Sequence, residues 1–215
     1  MPITLDLSHT AHCPAQTGIQ RVCRELFAQL SATGHAPVPL IFDRYACRWR
    51  SPDATELSHL SPAAAKSPGR RRGEVWTVAQ KLRGRLGRVK EPRWPSLRHT
   101  PLLAPEIFNH KTFAAYRDLR AHLHGPTAAI FYDAVVLRFP ELSPPASVNR
   151  FPAYLRELAT FDGIAAISHA SRDELLDHWK RLGLRDHPPV ESIPLGLDVP
   201  TRSLSPIPQN SHPPL

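Results

Sequence analysis

The chain of 215 residues has few cysteines and no long apolar stretch. Its three cysteines, Cys13, Cys23 and Cys47, include no Cys-x-x-Cys pair. An odd number of scattered cysteines argues against a disulfide framework and favours reduced thiols. The N-terminus lacks the basic start and apolar run of a signal peptide, and no segment approaches the length of a membrane span. These absences predict a cytoplasmic protein without a transmembrane helix.

Acidic residues are scarce in one segment that is rich in Lys and Arg, and the positive charge of the chain is therefore concentrated there. Between residues 66 and 98, eleven Lys and Arg residues stand against only Glu74 and Glu91. The net charge of the whole chain is +8, so the remainder is close to neutral. A basic character confined to one segment argues against a fold built as a whole for nucleic acid. No recognised nucleic-acid motif accompanies the charge, and we expect no nucleic-acid partner.

The first part of the chain has the pattern of a strand, a helix and a second strand. Residues 3–7 alternate apolar and polar, which predicts a strand. Residues 17–20 resemble a capping box, and apolar residues then recur on one helical face as far as Gly34. Residues 38–43 predict the second strand, which completes a βαβ unit.

The Thr17-Gly18 turn between this strand and helix is a candidate binding element. A glycine at a helix N-terminus lets a ligand approach free backbone N–H groups, where the helix dipole favours phosphate. A plain tight turn explains the glycine equally well. His9 and His12 share the preceding loop, but two histidines without a third ligand nearby are usually loop residues, so we expect no metal.

Residues 51–98 are interpreted as an insertion that contains a loop and a basic amphipathic helix. Proline, alanine and serine dominate residues 51–72, which predicts the loop. Apolar residues recur at helical spacing in residues 75–89, together with a tryptophan and several basic residues. This combination is typical of a helix that lies on an anionic membrane surface. The alternative is a surface helix docked on the core. The predicted membrane contacts are Trp76, Lys81, Arg83, Arg85 and Arg88.

The second half of the chain alternates predicted helices and strands. Helical faces are predicted in residues 108–123 and 148–161, and after a capping box at Ser171. Strands are predicted at residues 127–132, 163–167 and 190–196. The pattern predicts an α/β domain over residues 1–198, a Rossmann-like parallel sheet flanked by helices. Residues 199–215 are rich in proline and predict a linker or disordered tail.

Asp133 directly follows one of these predicted strands and precedes a proline-bracketed loop. In open α/β sheets, ligands bind beyond the carboxyl ends of the strands. An acid at this position therefore points into the crevice where a ligand would lie. The alternative is that Asp133 only caps the turn that follows it.

Four short motifs together resemble the N-terminal domain of retaining family-4 glycosyltransferases. In chain order they are Gln16 to Val22, Phe131-Tyr132-Asp133 with Phe139-Pro140-Glu141, Ala165 to Ser168 with Ala170-Ser171, and Ile193 to Asp198. The resemblance spans about residues 3–198 apart from the basic insertion. It implies the N-terminal half of a GT-B fold, in which two Rossmann-like domains face each other across a cleft.

The resemblance also implies a role for each candidate residue. Asp133 would be catalytic, beside the reacting sugar and the acceptor hydroxyl. The implied substrate-binding residues are Thr17, Gly18, Ile19, Tyr132 and Ser168. The implied reaction transfers a sugar from a nucleotide-sugar donor to a glycan or lipid-linked acceptor at the inner membrane face. The nucleotide sugar is a substrate, and the resemblance implies no cofactor.

The chain also departs from the pattern of this family. Many relatives have histidine at the position of Tyr132 and glutamate at that of His169. The family's C-terminal domain supplies an Arg/Lys pair and two glutamates eight positions apart, and no two glutamates here have that separation. Because positive charge on the leaving diphosphate provides a large share of catalysis, we expect little transfer without a separate C-terminal half. The alternative is a non-catalytic module that binds an acceptor or a membrane.

Overall fold

A computed structural model describes residues 1–13, 15, 17–64, 73–108 and 110–196 of the chain. The tail predicted at residues 199–215 lies outside these residues. So do residues 65–72 of the predicted loop and basic cluster, and Gln16 and residues 197–198 of the quoted motifs.

A seven-stranded sheet forms the centre of the described fold. Its strands are β1 (Pro2–Asp6), β2 (Ala36–Asp43), β3 (Arg48–Arg50), β4 (Leu102–Ala104), β5 (Thr127–Phe131), β6 (Gly163–Ala166) and β7 (Val190–Ser192). They lie in the order β3-β2-β1-β4-β5-β6-β7. All neighbours are parallel except β2 and β3, which pair as an antiparallel hairpin. The predicted Rossmann-like α/β sheet is therefore confirmed.

Helices connect most of these strands. They are α1 (Gly18–Ala32), α2 (Ala54–His59), α3 (Val78–Arg85), α4 (Trp94–Leu97), α5 (His110–His122), α6 (Val135–Arg138), α7 (Pro145–Leu158) and α8 (His169–Arg181). Single 3-10 turns occupy Thr10–His12, Pro62–Ala64 and Pro140–Leu142. No helix among the described residues is both long and apolar enough to cross a bilayer.

Two apolar clusters cover the opposite faces of the sheet. Consecutive residues of β2 show this arrangement, because Leu40 belongs to the larger cluster and Ile41 to the smaller one, and successive side chains of a strand point to opposite faces. The larger cluster takes its side chains chiefly from α5, α7 and α8, and the smaller one from α1 and the loop after β1. Helices thus flank both faces, as the Rossmann-like pattern requires.

The structure corrects several predicted elements, and the strand predicted at residues 190–196 is only β7 (Val190–Ser192). Residues 54–59 form α2 rather than a loop, because Asp53 and Glu56 make a reciprocal capping box. The helix predicted over residues 75–89 is only Val78–Arg85. Helix α8 begins at His169 with Ser168 as its N-cap, three residues before the predicted start.

The strand order changes direction between β1 and β4. From β1 the chain moves outward to β2 and β3, and it then returns to the other side of β1 as β4. The helices that follow β1 and β4 lie on opposite faces, which leaves a crevice at the carboxyl ends of these strands. This edge of the sheet is where a ligand site is expected.

Candidate functional site

A hollow of about 590 Å³ lies at the carboxyl edge of the sheet. The loop after β1, the first turn of α1 and the segments that follow β5, β6 and β7 form its walls. The lining residues are His9, Thr17, Gly18, Ile19, Gln20, Tyr132, Asp133, Ile167 and Leu195. The Thr17-Gly18 turn and Asp133, far apart in sequence, therefore share one cavity.

The N-terminus of α1 opens on this hollow. Thr17 is the N-cap residue, but its hydroxyl contacts the Gln20 side chain and accepts no N–H of the helix. The predicted capping box is therefore incomplete. The first N–H groups of a helix have no acceptor within it, and at the positive end of the helix they favour an anion.

Nothing in the described part of the chain requires a glycine at position 18. Its φ is not positive, and a Cβ added there would have no atom within 4 Å. Neither the local backbone nor the packing therefore excludes a side chain. The space that the missing side chain leaves belongs to the hollow, where a ligand can approach the helix N-terminus closely.

Asp133 lies at the mouth of the hollow, directly after β5. One carboxylate oxygen, Oδ1, accepts the N–H of Val135 at 3.1 Å. The turn-capping role that was the alternative prediction is therefore present. The other oxygen, Oδ2, has no hydrogen-bond partner among the described residues, so capping leaves it available for a ligand hydroxyl.

Tyr132 contributes a ring rather than a proton to the hollow. Its phenol is buried and donates a hydrogen bond to the carbonyl oxygen of Pro105 at 2.8 Å. Burial, together with the nearby Cys23 and Glu106, raises the pKa of Tyr132 well above its ordinary value. The hydroxyl is therefore held in place between β5 and the loop after β4, and it is a poor acid or base.

Ser168 does not line the hollow as predicted, since Ile167 takes that position among the described residues. The Ser168 hydroxyl accepts the N–H of Ser171 at 3.0 Å and so caps α8. The Ser171 hydroxyl in turn donates to the carbonyl oxygen of Tyr132 at 2.7 Å. The Ser168 hydroxyl therefore supports the N-terminus of α8, and its predicted contact with a substrate stays a prediction.

His9 is a lining residue that the sequence argument considered only as a metal ligand. Its ring Nδ1 lies 3.7 Å from Glu74 Oε1. The nearby carboxylate of Glu74 raises the pKa of His9 against the opposing effect of burial, and the charges of Glu106 and Asp6 add to the rise. The imidazolium form is therefore favoured beside the N-terminus of α1. The position of His9 just beyond β1 was the available signal, by the strand-end argument that selected Asp133.

Two buried carboxyl groups, Asp6 and Glu106, lie behind His9. Glu106 accepts the backbone N–H groups of His9 and Thr10, each at 2.6 Å, and Asp6 accepts a hydrogen bond from the Tyr116 hydroxyl. Burial and then the charge of Asp6 raise the pKa of Glu106 to about 7. Because Glu106 accepts the N–H groups of the loop that carries His9, the charge of this pair affects how that loop is held at the hollow.

The apolar side of helix α3 is exposed. The amphipathic pattern predicted that this side would face either the core or a membrane. Trp76, just before the helix, is buried and stacks on the His12 ring with centroids 3.6 Å apart. Gln80 and Gly84 form the buried face. The predicted membrane contact at Trp76 is therefore wrong, because its ring fills a space in the protein interior. Large apolar side chains are exposed instead at Val75, Val78, Leu82 and Leu86.

The other predicted membrane contacts lie in the same segment as these exposed apolar side chains. Arg83 forms an ion pair with Asp53 at 2.6 Å, and the Arg85 guanidinium lies 5.7 Å from the centroid of the Tyr45 ring. Arg85 and Arg88 are exposed, while Lys81 is half-buried. The exposed apolar and basic side chains therefore belong to the same short segment of the insertion.

Comparisons with known proteins assign no family to this arrangement. No protein-family model matches the chain, and no curated protein matches it significantly. Within the described residues, no group of three or more His, Cys, Asp or Glu side chains is placed to hold a metal ion. Function must therefore be argued from the hollow itself.

Proposed function

We propose that the chain is the acceptor-side, N-terminal domain of a retaining GT-B glycosyltransferase. It would transfer a sugar from a nucleotide-sugar donor to a glycan or lipid-linked acceptor, together with a C-terminal donor-binding domain. One observation carries this proposal. The Thr17-Gly18 turn and Asp133, which the motif resemblance selected independently, line the same hollow at the reversal of strand order.

The chemistry of the lining fits the two substrates. A diphosphate would meet the N–H groups at the start of α1 and the imidazolium of His9, both of which favour negative charge. The free Oδ2 of Asp133 would accept a hydrogen bond from the acceptor hydroxyl or the transferred sugar. The apolar side chains of Ile19, Ile167 and Leu195 would pack against the sugar face.

The charge of the hollow also supports the proposal that a second domain takes part. Among the described lining residues, only His9 can carry a positive charge. The leaving diphosphate carries more charge than one imidazolium neutralises, and electrostatic stabilisation of that charge is a large part of catalysis. We therefore expect no measurable transfer by this chain alone.

The test combines the full chain with a candidate C-terminal donor-binding domain, radiolabelled UDP- and GDP-sugars, and lipid-linked or glycan acceptors. The expected result is labelled product that depends on both proteins and is lost in Asp133→Asn. The matched control is Asp186→Asn, an exposed acid away from the hollow, which should leave transfer unchanged. A folded, associated pair that yields no product with any donor would overturn the proposal.

A non-catalytic module that binds a membrane is the second candidate, and the surface of α3 favours it. Exposed Val78, Leu82 and Leu86 beside Arg85 and Arg88 match an anionic bilayer in both apolarity and charge. The measurement is sedimentation with phosphatidylglycerol vesicles, with phosphatidylcholine vesicles as the uncharged comparison.

In this assay the double variant Leu82→Ser/Leu86→Ser should bind phosphatidylglycerol at least tenfold more weakly than the native chain, because about 0.8 kcal/mol is lost for each buried CH₂. Leu142→Ser, a more exposed leucine outside the insertion, is the control and should bind as the native chain does. Equal binding of all three proteins would rule out this surface.

A further inference from the structure

A second, smaller pocket lies next to the hollow and has a different chemistry. Its volume is about 150 Å³, and aromatic rings from the loop after β4, from α5 and from α7 line it. Ile107, Phe108, Phe113, Phe151 and Tyr154 form the walls, and Arg150 lies at the rim. An apolar cavity of about this size holds a single benzene ring.

The rings around the pocket are arranged edge to face. The centroid of the Phe108 ring lies 5.1 Å from that of Tyr154 and 6.0 Å from that of Phe113, with interplanar angles of 69° and 85°. Aromatic pairs prefer this geometry, since the positive edge of one ring meets the negative face of another. A planar aromatic guest extends the same pattern, whereas a saturated ring does not.

Arg150 provides a charge at the open side of the pocket. Its Nε donates to the carbonyl oxygen of Ala146 at 2.6 Å, which orients the guanidinium. Arg150 is exposed, and it forms no ion pair with an acid among the described residues. The outer nitrogens of the guanidinium therefore remain available for an anionic oxygen group.

Tyr154 connects this pocket with the hollow. Its ring forms a wall of the pocket, and its buried hydroxyl has no hydrogen-bond partner within the described part of the chain. Burial and the nearby charge of Asp133 both raise the pKa of Tyr154. The loop after β4 also joins the two sites, because Tyr132 of the hollow donates to the carbonyl oxygen of Pro105, two residues before Ile107 of the pocket.

We propose that this pocket binds an aromatic ring that carries a carboxylate, as part of the acceptor. The ring would lie among Phe108, Phe113 and Phe151, and the carboxylate would pair with Arg150. This inference rests on the proposed glycosyltransferase function, because it places the ring beside the hollow in which the acceptor hydroxyl would meet Asp133. It narrows the acceptor from any glycan or lipid to a molecule with an aryl acid group.

The probe is benzoate, titrated into the full chain and followed by NMR signals of the Phe and Tyr rings. Cyclohexanecarboxylate keeps the charge but lacks the planar ring, and toluene keeps the ring but lacks the charge. Both should bind at least threefold more weakly than benzoate.

Two variants locate the binding. Arg150→Gln should weaken benzoate binding about threefold to tenfold, and the exposed Arg156→Gln on the same helix should not change it. Ser147→Phe adds a ring at the pocket lining and should abolish binding, with the circular dichroism spectrum as the check on folding. The inference is overturned if benzoate does not saturate, if Arg150→Gln binds it normally, or if cyclohexanecarboxylate binds as tightly.

The two proposals fail separately. Benzoate titration uses neither a donor sugar nor a second domain, so binding without any transfer would sink only the glycosyltransferase function. Transfer to an acceptor without competition from benzoate would sink only the assignment of the pocket.

Discussion

Two buried glutamates, one in the basic insertion and one beside the hollow, have opposite acid-base behaviour. Glu56 is 0% exposed and Glu106 is 3% exposed. Burial opposes the charge of Glu56, but the hydrogen bonds from Arg50 and the nearby ring of His12 outweigh it and lower its pKa to about 2. Burial and the charge of Asp6 raise the pKa of Glu106 to about 7. The depth of burial therefore does not explain why the two pKa values differ.

The difference lies in the partners that each carboxylate has. Both oxygens of Glu56 accept hydrogen bonds from Arg50 at 2.6 Å, and Arg50 also pairs with Asp43 at 2.7 Å. Glu106 accepts backbone N–H groups and faces the carboxyl group of Asp6 instead of an arginine. Paired buried charges hold an architecture together, whereas uncompensated ones are typical of functional sites.

We expect the largest loss of stability when Arg50, the cation paired with the buried acids of the insertion, is replaced. Arg50→Met leaves Asp43 and Glu56 buried without their partner, which should destabilise the fold by about 3–5 kcal/mol. Urea unfolding at neutral pH measures the change. Arg48→Met is the control, because its 3.1 Å pair with Glu91 is exposed and is worth at most about 1 kcal/mol. Similar losses in the two variants would contradict the special role of Arg50.

The pH dependence should differ in sign between the two glutamates. Glu106 has a higher pKa folded, about 7, than its ordinary 4.5. The folded state therefore holds this proton more tightly, and the stability it gives is lost as pH rises from 4.5 to 7, on the order of 3 kcal/mol at most. Glu56 behaves oppositely, since its pKa of about 2 means that stability is lost as pH falls below 4.5.

Direct titration of the Glu side-chain carboxyl carbons by NMR checks this assignment. The signal of Glu106 should have a midpoint near 7 in the native chain. Asp6→Asn removes the neighbouring charge and should lower that midpoint, while the signal of Glu56 should not move. A native midpoint near 4.5 for Glu106 would remove the contrast between the two regions. His9 also has a raised pKa. The pH dependence of stability therefore contains contributions from both His9 and Glu106, whereas the NMR titration follows Glu106 directly.

A smaller loss is expected where α3 packs closely on the hairpin of β2 and β3. A Cβ at Gly84 would lie 2.7 Å from the Cβ of Tyr45 and 2.8 Å from Asp43 Oδ1. Gly84→Ala should therefore destabilise the fold by about 1–3 kcal/mol through overpacking. Gly73→Ala is the matched control, since a Cβ there meets no atom within 4 Å. Unfolding by urea measures both variants, and equal stabilities would show that α3 can shift away.

Replacing Gly18 should have the smallest effect on stability. It should have the largest effect on ligand binding. Alanine there would meet no atom of the described chain, so Gly18→Ala should leave stability unchanged or raise it by up to about 1 kcal/mol. The added methyl group would occupy the approach to the N–H groups of α1, so binding of inorganic pyrophosphate should weaken about tenfold. Gly163→Ala, also in open space, controls for the change in stability. Unchanged pyrophosphate binding, measured by calorimetry, would exclude a phosphate at this turn.

The architecture was largely predictable, since it follows from local periodicity. The predicted strands at residues 3–7, 38–43, 127–132 and 163–167 correspond to β1, β2, β5 and β6 within a few residues. Strands β3 and β4 were missed because three residues are too few to show alternation. The βαβ pattern was sufficient for the fold class, because parallel strands with short connections have few alternative arrangements.

The candidate site was predictable only in part. Thr17, Gly18, Ile19, Tyr132 and Asp133 line one hollow, since each lies next to the carboxyl end of a strand or at the helix start that follows one. His9 satisfies the same condition but was not selected. Ser168 also satisfies it, yet its hydroxyl is used to cap α8. Position along the chain does not reveal which hydrogen bond a side chain makes.

The orientation of α3 shows most clearly what the tertiary structure decides. Its apolar periodicity indicated a face that packs on a membrane or on the core, and the face that the fold actually buries carries Gln80 and Gly84 instead. Gln80 donates to Glu56 at 3.1 Å, and Gly84 admits the side chains of residues 43 and 45 and the backbone nitrogen of residue 46. A charged cluster beneath the helix required a hydrogen-bond donor and close approach, and these needs outweighed the burial of Val78, Leu82 and Leu86.

The amino-acid sequence by itself determined the layered α/β order and the edge of the sheet at which a ligand site would lie, because both depend on patterns between near neighbours in the chain. Only the tertiary structure decided the partners of the buried charges. Asp6 meets Glu106, and Arg50 meets Asp43 and Glu56, through strand pairing and helix packing. Since the energy of a buried charge depends on which groups surround it within a few ångströms, no local pattern could have assigned these pKa values in advance.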